Sequence, residues 1–111
     1  MKNEARKRLK DISDACAAAG RFSEGKDFAV YQEDEMLRAA VERKLEIIGE
    51  AFAKLESTEP EVTEKFPELR KIVGLRNRII HGYDSVDEEL IWDVVKNKLP
   101  ALQQQVESIL E

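Results

Sequence analysis

Little in this chain could cross-link it or anchor it. With a single cysteine, Cys16, no disulfide can form within the chain, and with a single histidine there is no thiol and imidazole set for a structural zinc. Any metal site would have to be built from carboxylates. No apolar run approaches the roughly 18 residues that a membrane-spanning helix needs, and the opening MKNEARKRLK lacks the apolar segment of a signal peptide. A cytoplasmic protein with no membrane segment is the expectation. Aromatic residues are sparse, at only 6% of the chain.

What is present is a mixture of 42% hydrophobic and 37% charged residues, rich in Ala, Leu, Ile, Glu, Lys and Arg, which suits an all-α protein. At 111 residues the chain makes one domain, 1–111, small enough that self-association could contribute to its stability. The net charge of -5 argues against a general nucleic-acid coat, but the charge is uneven. Lys2, Arg6, Lys7, Arg8 and Lys10 face only Glu4 near the start. Arg70, Lys71, Arg76, Arg78 and His81 form a second basic cluster, followed at once by Asp84, Asp87, Glu88 and Glu89. Either cluster could equally be a solvated helix face.

Apolar periodicity predicts four principal helices. Leu9, Ile12, Cys16 and Ala19 mark the first, over residues 3 to 19, with two glycines and a serine in AAAGRFSEGKDF as its exit. Leu37, Val41, Leu45, Ile48, Phe52 and Leu55 mark the longest, from Asp34 to Leu55. Ala40, Ile47 and Ala51 widen its stripe, either as more core or as a subunit interface. Pro60 and Pro67 turn the chain before a helix carrying Leu69, Ile72, Val73, Ile79 and Ile80, which Gly82 would stop. Ser85 and Glu88 have the spacing of a capping box for the last helix, where Pro100 should impose a kink or a brief interruption. The expected fold is an antiparallel four-helix bundle.

The lone imidazole of His81 stands in GLRNRIIHGY. Asn77 is one helical turn before it, so the amide can orient the ring. Arg76 is five residues before it and diverges by about 140° on an ideal helix, so spacing alone does not make a pocket of the two. They could converge if the helix frays at Gly82, or if a second copy of the helix crosses this one. RNA cleavage without metal needs a base for the 2′-OH, an acid for the leaving 5′-oxygen and a cation for the phosphorane. Histidine and arginine suit these roles, and two protomers would supply both acid and base. The plainer possibilities are that Arg76 pairs with an acid and His81 caps its helix. Trp92 sits at the margin of the apolar stripe, where edge packing is a more natural role than RNA stacking.

GLRNRIIHGY resembles the R-x4-H-x-Y signature of the HEPN superfamily, in particular the HepT-like toxins paired with minimal nucleotidyltransferase antitoxins. AVERKLEIIGEA at 40 to 51 and VDEELIWDVVKNKLPAL at 86 to 102 resemble the same branch in the same order. The resemblance implies a HEPN-like helical bundle and a homodimer, possibly assembled further. It implies a metal-independent ribonuclease without cofactor, whose catalytic Arg76 and His81 lie at the dimer interface with the polar Asn77 beside Arg76. Tyr83 would be the residue that the antitoxin modifies with AMP. A non-catalytic adaptor for a nucleotidyltransferase, or a purely structural helical dimer, is the alternative.

Overall fold

The computed structural model describes residues 1–80 and 87–111, with side chains for 1–74 and 87–111. Helix α1 (Asn3–Ser23) carries Ala5, Leu9, Ile12, Ala15, Cys16 and Ala19 along its buried side. The many alanines let a neighbouring helix approach closely. This helix runs four residues beyond the expected end, because Gly20 costs only about 1 kcal/mol inside a helix and the final carbonyls find donors. Lys26 Nζ donates to Phe22 O at 2.8 Å and Lys96 Nζ to Ser23 O at 3.2 Å. The chain turns instead at Gly25, whose φ of 71° favours glycine.

Two short helices were not expected. In α2 (Phe28–Glu33), Asp27 accepts from Val30 N at 3.0 Å and caps the first turn, while Tyr31 is wholly buried. In α4 (Pro60–Thr63), Pro60 does more than turn the chain: it occupies the first turn, where its missing N–H is harmless. Between them α3 (Glu35–Thr58) begins at Asp34, which accepts from Leu37 N at 3.0 Å. Helix α5 (Leu69–Ile80) follows Pro67 as predicted.

The last helical stretch comprises α6 (Glu88–Asp93), a π-helical turn (Val94–Lys98) and α7 (Leu99–Leu110). Its cap differs from the expected box. Asp87, not Ser85, accepts from Leu90 N at 3.1 Å, so Glu88 opens the helix and does not close a box from its third position. The effect of Pro100 is displaced toward the N-terminus. Its ring crowds the carbonyl of Lys96 and it has no N–H, so the preceding turn widens and Leu99 N bonds Val94 O instead.

The helices stack as a bundle: α1 lies against α3 and α7, α3 also lies against α5, and α2 packs on α3 and α6. Leu9, Ile12, Leu45, Ile48, Leu55, Phe66, Leu69 and Leu99 form its centre, each at most 1% exposed. Ala51, one of the residues that widen the α3 stripe, is itself buried, and Ile47 is half-buried against the core. Much of that breadth therefore serves the two flanking helices α1 and α5. No described helix is long and apolar enough to cross a membrane.

Candidate functional site

Helix α5 brings Arg76 and Asn77 to its second half. Arg76 follows the buried Leu69 by seven residues and the buried Ile72 by four, so its backbone position continues the bundle-facing stripe. The side chains of Arg76 and Asn77, and the whole of His81, Gly82, Tyr83 and Ser85, lie outside the described residues. What the structure provides is the frame on either side of them.

Along one side runs α3. Arg70 Nη2 meets Glu56 Oε2 at 2.8 Å and pins the start of α5 to the end of α3. Further back along α3 a polar cluster joins α2, α3 and α6. Arg38 Nε stands 3.7 Å from Glu88 Oε1, and Arg38 Nη1 donates to Tyr31 O at 3.4 Å and to Gln32 O. The guanidinium thus holds the last turn of α2 to the first turn of α6. Above it Tyr31 stacks on Trp92, centroids 4.9 Å apart, and Lys96 Nζ lies 5.3 Å from the Trp92 ring centre. Trp92 is therefore an edge-packing residue with an aromatic neighbour and a cation close by.

The electrostatics of this cluster are unbalanced. Burial pushes the Glu42 carboxyl above the usual carboxylate range; Arg38 opposes the shift, while Glu46 and Glu88 add to it. Burial likewise raises the Tyr31 phenol, helped by the same Glu42 and Glu88, and its Oη has no hydrogen-bond partner among the described residues. Neither Arg38 nor Glu42 stood out in the sequence, and Glu88 did so only as an acid of the run after the motif and of a capping box. The Arg38 and Glu42 spacing of one turn was visible, but its meeting with Tyr31 and Glu88 was not.

The basic clusters resolve differently. Near the N-terminus, Arg6 Nη2 donates to Leu110 O at 2.9 Å, Arg8 pairs with Glu4 at 2.6 Å and Lys10 with Asp14 at 3.1 Å. Arg6 thus ties α1 to α7, while the other two pairs lie one turn apart along α1. In the second cluster Arg70 and Lys71 are engaged by Glu56 and Glu68. A groove of about 360 Å³ opens between α5 and the start of the last helical stretch, floored by Ile72, Leu90 and Val94 and edged by Lys71 and Lys98 together with Glu68 and Asp93. Cys16 is no rival nucleophile: burial pushes its thiol up to about 12.

Comparison with known proteins agrees with this frame. The family model Ribonuclease HepT-like matches residues 12–109, and the chain belongs to that family. It is 34% identical over 110 residues to a candidate RNase of Methanocaldococcus jannaschii, covering 97% of this chain and 98% of that one. A candidate RNase of Caldanaerobacter subterraneus is 34% identical over 103 residues, covering 93% and 91%. A probable ribonuclease HepT of Thermococcus cleftensis is 30% identical over 109 residues, covering 98% of both. No solved structure matches the chain.

Proposed function

We propose that this protein is a metal-independent endoribonuclease whose site is completed by a second copy of the chain. The observation that carries this reading is family membership across nearly the whole length, with Arg76, Asn77, His81 and Tyr83 each in place within the motif. In each site one imidazole takes the proton of a ribose 2′-OH, and the 2′-oxygen attacks the adjacent phosphorus. The bond to the 5′-oxygen breaks as the partner's imidazolium, protonated beforehand, gives that oxygen its proton. Arg76 holds the non-bridging oxygens as charge builds on them, using the paired N–H groups of its guanidinium. The products are a 2′,3′-cyclic phosphate and a 5′-hydroxyl.

The same family assignment suggests a cytoplasmic toxin of a toxin-antitoxin pair. A nucleotidyltransferase partner would silence it by transferring AMP from ATP to Tyr83, the phenol oxygen bonding to the α-phosphorus as pyrophosphate leaves. The added phosphate and base would sit one residue beyond Gly82 from His81 and repel RNA. The primary test is cleavage of a mixed RNA substrate in the presence of chelator by wild type and His81→Ala, together with sedimentation at micromolar concentration. Cleavage by wild type alone and a dimeric mass are expected. Full activity in His81→Ala, or a stable active monomer, contradicts the composite site.

A further inference from the structure

Arg38 lies where three helices meet. From α3 its Nη1 donates to the carbonyls of Tyr31 and Gln32, which end α2, and its Nε lies 3.7 Å from Glu88 Oε1 in the first turn of α6. The two carbonyls hold the guanidinium firmly, because they are last-turn acceptors that α2 cannot satisfy by itself. Its contact with Glu88 is of another kind. At 3.7 Å it is an ion pair without a hydrogen bond, so charge alone holds it.

A second carboxylate stands beside that pair. Glu42 follows Arg38 by one turn of α3, the spacing at which helix side chains become neighbours. It is half-buried, and burial pushes its carboxyl above the usual range, opposed by Arg38 and helped by Glu46 and Glu88. Glu46 is itself held by Arg43 at 3.1 Å. Tyr31 of α2 gives neither carboxylate a hydrogen bond, since its Oη is buried without a partner among the described residues. One guanidinium therefore serves two carboxylates that belong to different helices.

We propose that Arg38, Glu42 and Glu88 form a proton-operated latch for the first turn of α6. With Glu42 protonated, Arg38 belongs to Glu88 and holds α6 against α2. When Glu42 loses its proton, the new charge repels Glu88 and draws the guanidinium back along α3, and the first turn of α6 loosens. Ile91, wholly buried, keeps the rest of α6 on the core, so the movement is local. A carboxyl that folding raises favours the closed form below the ordinary glutamate range, and this contribution is lost as pH rises through the folded value. The latch is thus closed on the acid side and loosened on the alkaline side. It requires no ribonuclease activity.

Trp92 is the chain's one tryptophan and stacks on Tyr31 at 4.9 Å, so its emission reports how α6 sits on α2. The first-turn amides of Leu90 and Ile91, which donate to Asp87, report the same turn by hydrogen exchange. In the full chain, emission between about pH 4 and about pH 8 should show a transition centred above the ordinary glutamate range. Exchange of the two amides, corrected for its intrinsic rate, should be about fivefold or more faster on the alkaline side. Glu42→Gln, fixed in the neutral form, should keep the acid-side emission and slow exchange throughout. Glu88→Gln, which lacks the group that Arg38 grips, should exchange fast at every pH. Glu89→Gln, exposed on the same helix, should behave as wild type. Equal exchange on both sides in wild type overturns the proposal, and so does a transition that survives in Glu42→Gln with its midpoint unmoved.

Discussion

Tyr31→Phe isolates one atom of the cluster that joins α2, α3 and α6. The ring is 0% exposed and makes the 4.9 Å stack with Trp92, all of which phenylalanine preserves. Only the phenolic oxygen is lost, and that oxygen is buried without a hydrogen-bond partner among the described residues. Leaving a hydroxyl buried and unpaired costs about 1 to 3 kcal/mol, whereas the small void left behind costs at most about 1 kcal/mol. Stability should therefore rise, by up to about 2 kcal/mol. For a domain near this size each kcal/mol moves the melting point by about 4 to 8 °C, well within reach of calorimetry or circular dichroism. Urea titration should show a shifted midpoint at constant slope. Tyr31→Ala provides the contrast, since removal of the whole ring should cost about 3 to 5 kcal/mol. A loss of more than about 1 kcal/mol in Tyr31→Phe would refute the reasoning. The hydroxyl would then be bonded in the folded protein, for instance through a buried water shared with Glu42 and Glu88.

Arg76→Lys should remain about 100-fold or more impaired in RNA cleavage, as a point charge lacks the fork that grips two phosphate oxygens; near-normal rates measured on a labelled substrate would argue against that role. Tyr83→Phe should keep most of its ribonuclease activity and escape its partner, with AMP-sized additions in intact mass spectra appearing on wild type only. Asp87→Ala should lower stability by about 1 kcal/mol through loss of the α6 cap, more than Ser85→Ala does, and comparison of the two melting curves checks it. With its pKa pushed up to about 12, Cys16 stays a neutral thiol at mildly alkaline pH. Iodoacetamide should therefore label it only once urea has unfolded the chain.

The principal helices were legible from the sequence because burial on one face imposes a period that survives in any single chain. Leu37, Val41, Leu45, Ile48 and Phe52 had to be one stripe whatever lay opposite. The candidate motif could be read for a different reason: Arg76, Asn77, His81 and Tyr83 lie within eight positions, so their order needs no fold to be seen. Local rules failed where two of them competed. Ser85 and Glu88 had the spacing of a capping box, yet α6 opens at Glu88 with Asp87 as its cap, a boundary that spacing alone did not fix. Pro100 announced a disturbance, and the structure places it in the preceding turn, Val94–Lys98, as a π turn within a continuing helical stretch.

The cluster of Tyr31, Arg38, Glu42 and Glu88 could not be read at all before the fold was known. Its members are separated by up to 57 positions and come from three helices, and none is unusual in its own neighbourhood. Charge in a sequence is only a count, whereas the desolvation that raises Glu42 depends on what α2 and α6 place over it. The sequence alone determined the helical stripes and the order of the candidate motif, because both are local patterns. The tertiary structure decided that Arg38, Glu42 and Glu88 would meet beside the buried Tyr31, because only packing sets the dielectric and the neighbours that a side chain meets.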